Sequence, residues 1–150
     1  VILDPTDFKE PFMKKREPIT HIMSTDVFSV HPKQTLWEVK DLFEKQNIRH
    51  VPVLNGKEIV GIVSLTDLMR VTYGVAKEDI AQNQAVYQSV FAEEAMTPSP
   101  DVVSDEATIR DVAELLVNKG FHAVPVVSQA GELKGLVTTT DLIRYLIEQY

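Results

Sequence analysis

The sequence repeats itself, and any fold proposed for it has to accommodate two copies of one unit. Met23-Ser24-Thr25 recurs as Met96-Thr97-Pro98, 73 positions later. The same offset carries Val30 onto Val103, Thr35 onto Thr108, Val39 onto Val112, Leu42 onto Leu115, and Val51-Pro52-Val53 onto Val124-Pro125-Val126. After one extra residue in the second copy, Gly61-Ile62-Val63-Ser64-Leu65-Thr66-Asp67-Leu68 lines up with Gly135-Leu136-Val137-Thr138-Thr139-Thr140-Asp141-Leu142, and Arg70 meets Arg144. A collinear series with a single gap marks a tandem duplication. A unit of about 55 to 60 residues is marginal by itself, so each copy needs the other.

Each copy reads β-α-β-β-α. A short strand around Phe28–Val30, or Val102–Val103, leads to a helix start at which Thr35 with Glu38, and Thr108 with Asp111, have the form of a capping box. Leu36, Val39, Leu42 and Phe43 then share one helical face, as do Ile109, Val112, Leu115 and Leu116. Asn47 and Gly120 occupy equivalent positions and suit the left-handed conformation that ends a helix. An apolar strand follows (48–54 or 121–127), with Pro52 or Pro125 where the ladder does not need an amide. Asn55-Gly56 suits a type I′ hairpin turn, and the return strand runs into a second helix at Thr66-Asp67 or Thr140-Asp141. The expected layout is an N-terminal extension over 1–14, a first repeat over 15–75, a connecting segment over 76–91 and a second repeat over 92–150.

Composition excludes several functions. Of 150 residues 44% are hydrophobic, enough to fill a core, so the chain is not a disordered one. The absence of Cys removes disulfides, thiolate metal sites and a Cys nucleophile. The net charge of −7 opposes broad binding to a phosphate backbone. That charge is local: residues 1–75 hold 10 basic and 10 acidic side chains, and residues 76–150 hold 5 and 12. No apolar run reaches the roughly 18 to 20 residues of a membrane span, and Val1–Glu10 does not read as a signal peptide, so the expected location is the cytoplasm, without membrane insertion. The chain opens at Val rather than Met, which leaves room for an upstream segment. No Gly-x-Ser-x-Gly, Gly-x-x-x-x-Gly-Lys or His-x-x-x-His pattern occurs, so the chain is read as a non-enzyme with no metal site and no catalytic cofactor.

Three features, each present in both copies, resemble the cystathionine-β-synthase-type (CBS) domain pair, or Bateman module. They are Ile22-Met23-Ser24-Thr25 before the first strand, Arg49-His50-Val51-Pro52-Val53 in the second, and Gly-x-x-Ser/Thr-x-x-Asp at the end of the third. The resemblance covers roughly residues 15–150. It implies an α/β (α+β) fold of two tandem repeats packed with pseudo-two-fold symmetry, and modules that dimerise through their helices. It also implies a regulatory module with AMP, ADP, ATP or S-adenosylmethionine in clefts between the repeats.

Carried onto this sequence, the resemblance assigns one cleft Ser64, Thr66, Asp67, Arg49 and His50 with Pro100, Asp101 and Phe121. It assigns the other Thr138, Thr140, Asp141 and His122 with Val27, Phe28 and Ile48. The chemistry is coherent: one carboxylate can accept both ribose hydroxyls, and basic groups can meet phosphate. Asp101 stands where the family has an apolar residue, and Ala123 stands opposite His50. The first cleft is therefore expected to suit a longer phosphate chain and the second a compact ligand such as AMP. Plainer readings stand beside these. Asp67 and Asp141 also fit as helix-start residues, Arg49 as a solvated strand residue, and His50 and His122 as structural histidines. The expected mechanism is a population shift, in which a ligand wedged between repeats favours one arrangement that an effector protein reads. The rival readings are a docking or dimerisation module with empty clefts, the detached regulatory part of a larger enzyme or transporter, and divalent-cation sensing through the acidic second half.

Overall fold

A computed structural model describes residues 16–150. The expected N-terminal extension, residues 1–14, lies outside the described residues. The architecture mixes helices with two small sheets, and it divides into two compact units. One comprises Asp26–Asp101 with Gly131–Leu133, and is called here the first-repeat unit. The other, the second-repeat unit, comprises Val102–Ala130 and Lys134–Tyr150 together with Thr25 and the described residues before it.

In the first-repeat unit, helix α1 (Leu36–Gln46) starts where the Thr35 side chain accepts from the Glu38 amide. Glu38 does not close the box; its carboxylate accepts from the Gln34 side chain instead. Asn47 ends the helix with φ 52°, the left-handed cap its position called for. Strands β1 (His50–Asn55) and β2 (Glu58–Ser64) pair antiparallel, with Val51 opposite Val63 and Asn55 opposite Glu58. That register centres the turn on Gly56-Lys57, one residue later than expected. Gly56 has φ 64° while Lys57 does not have a positive φ, which is the pattern of a type II′ rather than a type I′ turn. Val30 flanks β1 on its other side as a single bridging residue, giving its amide to the Pro52 carbonyl and accepting from Leu54. An amide at Pro52 would face beyond that one-residue partner, so the proline removes nothing from the ladder.

Helix α2 (Leu65–Val71) follows β2 directly, and helix α3 (Ile80–Ser89) packs against α1 and α2. A short helix α4 (Ala92–Ala95) then leads to β3 (Thr97–Pro98), which pairs antiparallel with β2. The core is Val30, Leu36, Val39, Phe43, Val51, Val53, Val63, Leu68, Tyr87 and Ala92.

The second-repeat unit uses the same devices. Strand β4 (Val103–Ser104) runs parallel to β5 (Ala123–Val127), and β6 (Leu133–Thr138) lies on the far side of β5. Helix α5 (Ile109–Lys119) opens with the full Thr108–Asp111 capping box and closes on Gly120 at φ 70°. The Thr108 amide and hydroxyl hold the Asp111 carboxyl below its ordinary range. Helix α6 (Thr139–Glu148) continues β6, and the core is Ile19, Ile109, Val112, Leu116, Val124, Val126, Val137 and Tyr145.

Ile19 exposes an arrangement that the repeat pattern does not announce. It is fully buried in the core of the second-repeat unit although in sequence it belongs to the start of the first repeat. Its amide donates to the Ala107 carbonyl, the Ile109 amide donates to Glu17, and Ser24 pairs with Leu136. Seventy-three positions on, the same bonds recur in the first-repeat unit: the Ala92 amide to Gln34, the Leu36 amide to Val90, and Thr97 opposite Ile62 on β2. The leading segment of each repeat thus completes the unit built from the rest of the other one.

Candidate functional site

The motif aspartates sit where a strand turns straight into a helix. In the first-repeat unit Ser64 is the last residue of β2 and the N-cap of α2. The Asp67 Oδ2 atom accepts from the Ser64 amide at 2.7 Å and from the Ser64 hydroxyl at 2.9 Å, while Ser64 Oγ accepts from the Asp67 amide. The aspartate is 6% exposed and is the one buried charged residue among those described. Oδ1 accepts from Arg70 Nη1 at 3.0 Å.

The second-repeat unit repeats this geometry with one donor fewer. Asp141 Oδ2 accepts from the Thr138 amide at 2.8 Å, Thr138 Oγ1 accepts from the Asp141 amide, and Oδ1 accepts from Arg144 Nη1 at 3.2 Å. The helix-start reading of both aspartates is therefore correct as far as it goes. Each carboxylate spends one oxygen on its cap and turns the other toward an arginine.

Neighbouring candidates gather through equivalent backbone bonds. The Leu65 amide donates to the Arg49 carbonyl, and the Thr139 amide donates to His122. His50 stands opposite Ser64 in the β1–β2 register. Arg49, His50, Ser64, Thr66 and Asp67 thus meet at one end of the first-repeat unit, and His122, Thr138, Thr140 and Asp141 at the corresponding end of the second. Arg49, Thr66, His122 and Thr140 are exposed, and His50, Ser64 and Thr138 are half-buried. Pro100 and Asp101 belong to the first-repeat unit, with Asp101 exposed, as do Val27, Phe28 and Ile48. Phe121 belongs to the second-repeat unit. Phe28 and Phe121 are 41% and 38% exposed, high for aromatic side chains with no polar atom.

Sequence reasoning aligned Arg70 with Arg144 but gave them no role. It also missed the cluster beside α6, where the Tyr145 hydroxyl donates to Glu17 and Glu17 also pairs with His21 at 3.3 Å. That hydrogen bond is the main reason the tyrosine pKa rises to about 12. Asp141, Arg144, Tyr145 and Glu148 line a shallow groove with His21 and Ile22. The counterparts of Glu17 and Tyr145 in the first copy are Val90 and Val71, both apolar and packed on the core there. Among the described residues no group of three or more His, Asp or Glu is arranged to hold a metal ion, and no helix is long and apolar enough to cross a membrane.

Comparison with known proteins agrees with the duplicated architecture. The family model for the CBS domain matches residues 19–74 and again 92–148. An inosine-5′-monophosphate dehydrogenase of Korarchaeum cryptofilum is 31% identical over 117 residues, covering 78% of this chain and 22% of the dehydrogenase. An uncharacterised 17.7 kDa protein of Acidianus ambivalens is 25% identical over 87% of this chain and 73% of its own length. Among solved structures, Arabidopsis thaliana CBSX2 in complex with AMP superimposes with a TM-score of 0.73 at 24% identity, covering 88% of this chain and 97% of that one. The CBS domain pair of protein MJ0100, in complex with 5′-methylthioadenosine and S-adenosyl-L-methionine, gives 0.74 at 23% identity, with 89% and 98% covered.

Proposed function

Because the chain belongs to the CBS domain family, we propose that it is a regulatory module, not an enzyme, that binds an adenosine-containing ligand and signals by a conformational shift. The observation that carries the reading is the duplicated carboxylate. Asp67 and Asp141 are each fixed by a helix cap, each present a second oxygen outward, and each stand among hydroxyls and basic groups. A carboxylate oxygen can accept more than one hydrogen bond, as a vicinal diol requires, and a carboxylate that is already oriented loses little freedom on binding. Ser64, Thr66, Thr138 and Thr140 suit ribose or a first phosphate, and Arg49, His50 and His122 suit further phosphate charge. Exposed Phe28 and Phe121, with Val27 and Ile48, suit an adenine ring. AMP in the complex of one relative, and S-adenosylmethionine in that of another, support the ligand class.

The ligand acts by binding one conformational state better than another, and the module passes that preference to a partner. A homodimer in the cytoplasm, read by an effector protein, is the setting this reading assumes. The test is a thermal-shift panel of AMP, ADP, ATP, S-adenosylmethionine and NAD, followed by isothermal titration with D67A and D141A. At a ligand concentration 100 times its Kd, unfolding is displaced by about 2.7 kcal/mol, readily seen as a Tm rise. D67A is expected to weaken ATP more, and D141A to weaken AMP more. Equal losses of ATP binding would remove the distinction between the two sites. No shift with any adenosine ligand would favour the docking module.

A second reading concerns context. The chain matches only 22% of the dehydrogenase and 44% of another relative, an uncharacterised protein of Methanocaldococcus jannaschii. This favours a module that works as the regulatory part of a larger enzyme or transporter. Activity of that larger protein with and without the module, titrated with the ligand found above, tests it.

A further inference from the structure

The two arginines that sequence reasoning passed over hold the carboxylate oxygen most open to a ribose. Oδ2 of Asp67 already accepts two hydrogen bonds from Ser64, and Oδ2 of Asp141 one from Thr138. The helix cap would have to open to release them. Oδ1 is different: its partner is Arg70 or Arg144, whose side chains are 69% and 62% exposed against 7% and 11% for the aspartates. Only the arginine end of each pair is solvated, so a departing guanidinium is rehydrated while the hydroxyls of a ribose take its place on the carboxylate. Nor is helix-dipole compensation the common explanation, because Arg144 stands mid-helix in α6 with a full turn beyond it.

Building on the adenosine-ligand reading, we propose that Arg144, and its counterpart Arg70, are specificity-determining residues that select adenosine ligands carrying an anionic 5′ group. A ribose that takes Oδ1 displaces the guanidinium. A neutral nucleoside offers that charge no new partner in place of the carboxylate. A 5′-phosphate gives it one, and the five N–H donors of arginine can serve a phosphate while still touching the carboxylate. The same residue therefore opposes adenosine and favours AMP. Arg144 is the stronger case, since Asp141 Oδ2 keeps an acceptor position that Asp67 lacks, and Asp141 and Arg144 line a groove open to solvent.

The opposition in sign is the test. Adenosine and AMP are titrated calorimetrically into the full chain, R144Q, R70Q and R144K, with melting temperatures without ligand as the control for folding. R144Q is expected to bind adenosine roughly two- to fivefold more tightly, the equivalent of one half-solvated ion pair that no longer has to be displaced. It is expected to bind AMP about tenfold more weakly, the loss of a charge-assisted contact. R144K, which keeps the charge without the fork, should fall between. Equal weakening of both ligands in R144Q would make Arg144 a support for Asp141 and overturn the proposal, as would no change in either. If the unaltered chain binds neither ligand, the adenosine reading itself fails, and this inference with it.

Discussion

Two glycines show how a single missing carbon positions a segment. A Cβ built on Gly135 would lie 2.6 Å from the Met23 sulfur and 2.8 Å from the Ser24 carbonyl oxygen. The three atoms nearest to one built on Gly61 all belong to the Met96 side chain, its sulfur first, then Cγ at 2.7 Å and Cβ at 3.0 Å. The methionine of each Met-Ser/Thr motif lies over the glycine that opens the Gly-x-x-Ser/Thr-x-x-Asp motif of the unit it joins, so the two signatures are halves of one contact. Methionine is flexible and can swing aside, but a paired backbone carbonyl cannot. G135A should therefore destabilise by about 1 to 3 kcal/mol, and G61A by clearly less, in urea unfolding. Tyr145 gives a pH signature. Its pKa is 10.0 ordinarily and about 12 when folded, so the neutral phenol is the form the fold favours. A raised folded pKa gives stability that is whole below pH 10 and is lost as the pH climbs through 12. Denaturant midpoints across that range should fall for the native chain, and Y145F should flatten the part of the fall that this residue causes.

At the level of elements, much of the fold is legible in the sequence, because local chemistry writes it. Thr108 and Asp111 close their box, Asn47 and Gly120 take left-handed caps, and the apolar faces read from Leu36, Val39 and Phe43, or Ile109, Val112 and Leu116, are the buried ones. The exchange of leading segments is not legible. Ile19 and Ala92 occupy equivalent places in the repeat, so each has a pattern suited to either unit, and only long-range packing decides. The Asp–Arg pairs escaped notice for a similar reason: a spacing of three on a helix is common and says nothing of how buried the carboxylate is. The exchange predicts where damage travels. I19A should cost about 2 to 5 kcal/mol, the range for a large aliphatic truncated in a core. Hydrogen exchange should show the lost protection in α5, β5 and β6 of the second-repeat unit, not in α1, β1 and β2.

Taken whole, the molecule is two copies that have diverged in what fills equivalent places. The first-repeat unit buries small Ala92 and brings in Tyr87 from the connecting helix α3. The second buries the larger Ile19 and closes over it with Tyr145 tied to Glu17. Pairs of valines and polar clusters thus stand at matching positions in the two copies, which is how a duplicated frame can come to hold unlike sites. The exchanged segments carry a final consequence for how the chain can be divided. A cut at the exposed turn around Gly74 leaves one fragment bearing Ile19 but lacking Ala92, and another bearing Ala92 but lacking Ile19. Each piece holds the plug for its counterpart and none for itself. Co-expressed fragments should complement one another into a stable heterodimer, while each alone, if it folds, should find the missing plug in a second copy of itself.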